Sequence, residues 1–288
     1  MKEGIITKLI SGEYTVLSDH KLYVCKPRGL FRHTEQSLKV GDHVVFEEET
    51  RIITEVQKRK NELVRPVIAN VDQVFLVFSV AQPDLNTHLL DRLLSIVEYN
   101  DIRVIIVFTK LDLLVDKQSY QIVRDYYQQI GYTILEFMKD AAIDETFYQH
   151  IDHNISVLAG QSGVGKSTIL NHLDSTFTLK TDIISKALNR GKHTTRHVEL
   201  LPVRDGFIAD TPGFGIASFD EMDFRTFSDT FVEFFALRSQ CRFTQCIHEN
   251  EPGCAVKKAV ESKEILPSRY ENYLNFMKEI KEVKQYKY

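Results

Sequence analysis

Residues 160–168 have the types and the spacing of a phosphate-binding loop. They fit G-x-x-x-x-G-K-[ST] and follow an apolar run, 155–159, that predicts a buried strand. The glycines let successive backbone N–H groups turn toward phosphate oxygens, and the following helix adds the partial positive charge of its N-terminus. Lys166 can reach the β- and γ-phosphates, and the Ser167 hydroxyl can bind Mg²⁺. We therefore predict a nucleoside triphosphate site made by Gly160, Gln161, Ser162, Gly163, Val164, Gly165, Lys166, Ser167 and Thr168.

A second polar segment follows another buried strand, predicted at 104–108, and it can read a guanine base. A carboxylate at Asp112 can accept hydrogen bonds from guanine N1–H and the exocyclic amine, which adenine does not offer. The segment resembles the N/T-K-x-D motif of GTPases, with threonine where asparagine is commoner. The Ser-Ala pair that usually gives the second base contact is replaced by residues 137–138, a Phe-Met pair. The predicted base-binding residues are Thr109, Lys110, Leu111 and Asp112.

Two further segments supply the groups that a triphosphate and its magnesium ion require. Asp210 ends a short predicted strand and can hold Mg²⁺ through water, and the Gly213 amide can sense the γ-phosphate. A threonine in the stretch before them can bind Mg²⁺ in the triphosphate state; we favour Thr195, with Thr194 as the alternative. The predicted magnesium ligands are therefore Ser167 and Thr195.

The segment after Gly213 lacks the glutamine with which small GTPases position the attacking water. Phe214 stands there and cannot orient water. His193 is the nearest side chain that could act instead, although a solvated loop histidine without a role is an equally simple explanation. The predicted catalytic residues are His193, Lys166 and Thr195.

Three of the four cysteines cluster near the end of the chain with one histidine, in the spacing Cys-x4-Cys-x-His-x5-Cys. Three thiols and one imidazole can close a tetrahedral zinc site, and four protein ligands leave no open position for catalysis. We predict one structural Zn²⁺ held by Cys241, Cys246, His248 and Cys254.

The remaining sequence divides the chain into three predicted domains. Five short strands separated by turn signals favour a small barrel such as an OB-fold over 1–63. Its long connection, 27–39, carries basic and aromatic residues that suit RNA, although a polar loop without a ligand explains them as well. Alternating strands and helices over 64–219 predict a mostly parallel α/β sheet. Phenylalanines at helical spacing and an amphipathic end predict a helical zinc-binding domain over 220–288.

Charge and hydropathy restrict the compartment and the partners. The net charge of −4 argues against indiscriminate nucleic-acid binding, although both ends of the chain are more basic than its centre. No apolar run is long enough to span a membrane. The sequence therefore predicts a cytoplasmic protein without a membrane partner.

The order of the motifs is circularly permuted, because the guanine segment precedes the phosphate loop. A β-barrel, a permuted G domain and a Cys/His helical domain together resemble the bacterial ribosome small subunit-dependent GTPase A family over nearly the whole chain. The resemblance implies a GTPase that binds GTP or GDP, is stimulated by the 30S subunit and contacts 16S rRNA as a late assembly checkpoint. It also implies a switch histidine acting in hydrolysis, at the position of His193, and we expect a monomer.

Two other functions fit parts of the sequence. One is a GTP-regulated rRNA-binding checkpoint protein whose hydrolysis is incidental. The other is a phosphoryl-transferring kinase. The guanine segment and the lack of a visible acceptor site argue against a kinase.

Overall fold

The computed structural model describes residues 1–29, 37–63, 66–174, 198–210, 219 and 222–285. The chain divides into two compact units: Met1–Phe75 with Phe137–Phe214, and Leu76–Glu136 with Gly215–Tyr288.

The strands are β1 (Lys2–Ile10), β2 (Glu13–Ser18), β3 (Lys21–Pro27), β4 (His43–Glu47), β5 (Ile52–Val56), β6 (Glu62–Leu63), β7 (Ile68–Ala69), β8 (Gln73–Ser79), β9 (Arg103–Thr109), β10 (Thr133–Phe137), β11 (Ile155–Ala159), β12 (Leu200–Val203) and β13 (Gly206–Asp210). The helices are α1 (Thr87–Tyr99), α2 (Lys117–Gln129), α3 (Glu145–Ile151), α4 (Lys166–Leu173), α5 (Phe224–Asp229), α6 (Val232–Leu237), α7 (Ala255–Glu261) and α8 (Pro267–Gln285).

The N-terminal strands form the predicted closed barrel, in the order β1-β2-β3-β5-β4. β3 and β5 run parallel, and the other neighbouring pairs β1–β2, β1–β4, β2–β3 and β4–β5 are antiparallel. Alternation along each strand sends one set of side chains inward. The barrel core therefore consists of fully buried apolar residues, among them Ile6, Val16, Val44, Phe46 and Ile53.

The basic segment that follows the barrel is held in place by side-chain hydrogen bonds and by a short pair of strands. The Arg59 guanidinium forms two hydrogen bonds, of 2.6 and 2.8 Å, with the fully buried carboxylate of Asp42. The Asn61 side chain bonds both the N–H and the C=O of Val71. β6 pairs antiparallel with β7. These contacts fix the chain between the barrel and the first α/β strand.

In the first unit, β11 lies beside β13, and β13 lies beside β12. β11 and β13 are parallel with Leu158 opposite Asp210, so the two strands end at the same level. β12 and β13 form an antiparallel hairpin. Because all five residues of β11 are buried, the strand that leads into the phosphate loop is anchored on both faces.

In the second unit, β10, β9 and β8 lie side by side in that order; β8 and β10 cross the boundary between the units. β8 is buried along its whole length, and β9 is buried from its second residue, as expected for interior strands. The predicted phenylalanine-rich helices are α5 and α6, and their rings form a core with α8. Phe227, Phe231, Phe234, Tyr273 and Phe276 are its central rings, all essentially inaccessible to solvent.

The strands predicted at 104–108 and 155–159 correspond to β9, Arg103–Thr109, and β11, Ile155–Ala159. The amphipathic pattern predicted at the end of the chain is helix α8, Pro267–Gln285, over the part that the structure describes. Among the helices that the structure describes, none combines the length and the apolar character needed to span a membrane.

Candidate functional site

The phosphate loop joins β11 to α4 in the first unit. Gly163 and Gly165 adopt left-handed backbone conformations, with φ of 80° and 103°, which side-chain-bearing residues rarely adopt. Ile169, Leu170 and Leu173 bury one face of α4, and a buried Val164 anchors the loop itself. The strand and the helix thus hold the loop from both ends.

Within this loop, the Lys166 ammonium points back at the loop's own backbone. Its Nζ donates to the carbonyl oxygens of Gly160, at 2.9 Å, and Gln161, at 2.7 Å. Ser167 is exposed at the N-terminus of α4. A cation above a glycine-rich loop, beside an accessible hydroxyl, is an arrangement that can receive a polyphosphate.

His172 in α4 fixes the loop that follows β10, a role that is not among the sequence predictions. The ring nitrogens of His172 lie 2.9 Å from the Thr168 carbonyl oxygen and 2.8 Å from the Lys139 carbonyl oxygen. The ring also meets the buried Phe137 edge to face, with centroids 5.1 Å apart. His172 thereby ties the residues that replace the Ser-Ala pair to the phosphate-loop helix. The only sequence signal for this role is the four-residue spacing from Thr168.

The predicted guanine segment lies in the second unit, at the end of β9. Thr109 is buried, its hydroxyl donates weakly to the Phe78 carbonyl at 3.4 Å, and its carbonyl accepts from the Val80 N–H at 3.0 Å. Lys110 adopts a left-handed conformation, with φ of 60°, and its Nζ donates to the Gln82 carbonyl. Asp112 is exposed in the short 3-10 turn that follows. The buried threonine thus positions a turn on which the carboxylate is accessible.

The other predicted switch residues belong to parts of the chain that the structure does not describe. His193, Thr194 and Thr195 fall between residues 175 and 197, and Gly213 and Phe214 fall between 211 and 218. Asp210 is the last residue of β13. The roles assigned to these residues therefore stay predictions.

The structure brings the four predicted zinc ligands together. The ligand atoms of Cys241, Cys246, His248 and Cys254 all lie within 4.8 Å of one another. His248 Nδ1 is 3.6 Å from the Cys241 sulfur and 3.3 Å from the Cys254 sulfur. A tetrahedral zinc ion with Zn–S bonds of about 2.3 Å separates two sulfurs by about 3.8 Å. The donor set and its dimensions therefore fit one structural Zn²⁺.

Hydrogen bonds to the sulfurs also fit metal-bound thiolates. Ala255 N–H donates to the Cys241 sulfur at 3.4 Å, and Lys257 N–H donates to the Cys254 sulfur at 3.5 Å, where Cys254 caps α7. Burial raises the pKa of the Cys246 thiol to about 12 and lowers the pKa of the His248 imidazole. The neutral imidazole is the form that binds a metal, and the metal charge stabilises the thiolates.

The ligand loop is held in place by a carboxylate and two tyrosines. The Glu251 carboxylate accepts from three backbone N–H groups, of residues 247, 249 and 250, at 2.8 to 3.0 Å. Tyr270 donates to the His248 carbonyl at 2.7 Å, and Tyr273 donates to the Ile247 carbonyl. These contacts around the ligands fix the histidine, whose φ of 61° is in the left-handed region.

Family models match most of the chain. The RsgA N-terminal domain matches residues 3–52, and the RsgA GTPase domain matches residues 56–220. A small ribosomal subunit biogenesis GTPase RsgA 1 of Listeria monocytogenes is 47% identical over 279 residues, covering 95% of this chain and 96% of that protein. The small ribosomal subunit biogenesis GTPase RsgA of a Geobacillus strain is 48% identical over 281 residues, with the same coverage.

Two solved structures share the fold over the same extent. YloQ, described as a circularly permuted GTPase, superposes with a TM-score of 0.81 at 39% identity, covering 98% of this chain and 96% of that one. YjeQ from Thermotoga maritima gives a TM-score of 0.81 at 33% identity, covering 97% of this chain and 98% of that one. The fold predicted from the permuted order of motifs is therefore one that this chain shares with solved structures.

Proposed function

Because this chain belongs to the RsgA GTPase family, we propose that it binds the small ribosomal subunit and assists a late step of its maturation. The chain is a GTP hydrolase, as the family to which it belongs is, and we propose that the subunit stimulates the hydrolysis. The observation that supports this proposal best is the identity of 47–48% to small ribosomal subunit biogenesis GTPases over 95% of the chain. We place the protein in the cytoplasm, acting as a monomer on 16S rRNA.

We propose the following division of work among the predicted site residues. The backbone amides of residues 160–168 and the Lys166 ammonium bind the phosphates, and the carboxylate of Asp112 reads the guanine base. Ser167, Thr195 and Asp210 are the groups suited to hold Mg²⁺, directly or through water. Gly213 senses the γ-phosphate, and His193 orients the attacking water in place of the missing glutamine.

The position of the lysine ammonium supports the phosphate part of this proposal. Lys166 directs its hydrogen bonds at two carbonyls of the loop, at 2.9 and 2.7 Å. A β- or γ-phosphate oxygen offers the same donor a charged acceptor, and charge-assisted bonds are the stronger ones. We therefore propose that a bound triphosphate takes over the hydrogen bonds that Lys166 makes to these two carbonyls.

Cosedimentation tests the subunit as the partner. The full-length protein with a non-hydrolysable GTP analogue is centrifuged with purified 30S or 50S subunits. We expect it to pellet with 30S subunits, less so with GDP, and to remain in solution with 50S subunits. Lys166→Ala is expected to lose the nucleotide dependence, and Lys117→Ala, which changes an exposed lysine on α2, is the matched control. Equal pelleting with both subunits, or with neither, would contradict the proposal.

A further inference from the structure

The loop between the first two zinc ligands is fully exposed although both of its ends are fixed. Residues 242–245 are all exposed, whereas Cys246 is buried and Cys241 is half-buried. The Arg242 N–H donates to the Gly253 carbonyl at 3.1 Å, and the sulfur of Cys241 accepts from Ala255. Residues 242–245 therefore form a short surface loop whose two ends are fixed at the metal site.

Two phenylalanine rings are exposed, one in this loop and one in helix α6, which precedes the first zinc ligand. Phe243 is 45% exposed and Phe235 is 50% exposed, and in the described part of the chain they are the two exposed phenylalanines. Neighbouring rings of the same helices, such as Phe234, are completely buried. Two large apolar rings exposed to water within nine positions are unfavourable in free energy, and a binding partner that covers them would remove this penalty.

Each exposed ring has an arginine guanidinium over its face. The guanidinium carbon of Arg238 lies 4.1 Å from the centroid of the Phe235 ring, and that of Arg242 lies 5.5 Å from the centroid of the Phe243 ring. The Arg238 guanidinium is also held by Asp229 at 2.5 Å. Ring and guanidinium are both planar, so each pair presents flat surfaces beside a positive charge.

Apart from its zinc ligands, the segment that carries these two pairs contains only positively charged ionisable side chains, although one of them, Arg238, pairs with Asp229 at the end of helix α5. No carboxylate occurs between Phe235 and Ile247, while that segment contains two arginines. The 3-10 turn at Arg238–Gln240 packs against α7, which carries Lys257 and Lys258. The carboxylates that follow the segment are engaged elsewhere: Glu249 pairs with Lys281 at 2.5 Å, and Glu251 binds backbone N–H groups.

We propose that the pairs Phe235–Arg238 and Arg242–Phe243 form a stacking surface for unpaired RNA bases. Aromatic and guanidinium planes stack on bases of single-stranded RNA, and neighbouring lysines and arginines bind its phosphates. A duplex stacks its bases on one another, so apart from its two ends it offers such planes nothing to stack on. This inference rests on the proposed function, and it specifies which chemical feature of ribosomal RNA the zinc-bearing part of the chain recognises.

The absence of tryptophan from the sequence allows a direct test. Phe243→Trp keeps an aromatic ring at the proposed contact and introduces a single indole, whose emission falls when a base stacks on it. Ile122→Trp is the matched control, because Ile122 is 53% exposed on α2, outside the surface. Both zinc-loaded full-length variants are titrated with a polyuridine oligonucleotide, with an RNA duplex and with a polyglutamate peptide, and binding is followed separately by anisotropy of labelled ligand.

The expected result is saturable quenching of the indole in the Phe243→Trp variant by polyuridine and none by the duplex or the peptide. The indole of the Ile122→Trp control should keep its emission in all three titrations. Replacing both rings, Phe235→Ala with Phe243→Ala, should weaken polyuridine binding about tenfold or more while the zinc content stays the same.

Five results would overturn the proposal: no binding of polyuridine, binding without quenching, equal quenching of the control indole, equal quenching by the duplex, or equal quenching by the acidic peptide. Retained cosedimentation with 30S subunits in those cases would leave the proposed function intact.

Discussion

The guanidinium of Arg269 and the carboxylate of Asp91 form a 2.5 Å ion pair in the interior of the second unit, although they are 178 positions apart in the sequence. The same guanidinium bonds Glu233 at 2.8 and 3.2 Å, and Asn272 and Tyr127 complete the shell of Asp91. The C-terminal helix α8 is thereby joined to α1, which precedes the strand that carries the guanine segment.

Replacing Arg269 should destabilise the protein severely. Arg269→Met leaves Asp91 and Glu233 buried without a cation, and breaking a buried pair in this way costs about 3–5 kcal/mol. Lys281→Met is the control, since it breaks the more exposed pair with Glu249 and should cost about 1 kcal/mol or less. Urea unfolding followed by circular dichroism measures both, and a loss below about 1 kcal/mol for Arg269→Met would contradict the assigned network.

The buried network around Arg269 could not be predicted from sequence patterns. Helical spacing predicts α1 and α8, but nothing in the sequence pairs Asp91 with Arg269, since the contact depends on how distant elements fold together. His172 is similar, because its partner Lys139 offers only a backbone carbonyl. The zinc cluster is predictable because its four ligands lie in one short stretch of fixed spacing, and the strand and helix on either side of residues 160–168 are predictable for the same reason.

The zinc site makes a prediction about cysteine substitutions. Cys254→Ser removes one of four ligands and alters a helix cap, so the purified variant should retain much less than one zinc per chain. Cys25→Ser changes the remaining cysteine, which is buried in the barrel, and should keep the metal. Metal analysis by mass spectrometry decides the matter: full zinc content in Cys254→Ser would remove this cysteine from the site.

The guanine segment predicts an exchange of base preference. Asp112→Asn replaces the proposed acceptor of two guanine N–H groups with an amide, so GTP affinity should fall about hundredfold or more and xanthosine triphosphate should bind better. Asp116→Asn is the control, because Asp116 caps α2 through the Ser119 N–H at 3.1 Å and should leave base preference unchanged. Competition with labelled GTP gives both affinities, and an unaltered preference in Asp112→Asn would exclude Asp112 from the base site.

Asp223 predicts a pH-dependent helix cap. Its carboxylate accepts from the N–H groups of Thr226, at 2.7 Å, and Arg225, at 2.8 Å, and the Thr226 bond is the largest cause that lowers its pKa below the ordinary 3.8. Because the pKa is lowered by folding, the stabilisation is present above the ordinary pKa and is lost as the pH falls through the folded value.

Asp223→Ala should therefore cost about 1 kcal/mol at neutral pH and progressively less below pH 3.8. Asp223→Asn keeps a capping side chain that does not titrate, and its stability should not show this component of the pH dependence. Urea midpoints across the acid range distinguish the variants, and a constant difference between Asp223→Ala and the wild type would show that the cap does not titrate as described.

The measurement that tests the proposed function most directly is the rate of phosphate release from GTP by the full-length protein, alone and with purified 30S or 50S subunits. We expect slow release from the protein alone, because Phe214 replaces the water-positioning glutamine, and a many-fold rise with 30S subunits only. Lys166→Ala should release no phosphate in any mixture. A rate that 30S subunits leave unchanged, or that 50S subunits raise equally, would contradict a GTPase that acts on the small ribosomal subunit.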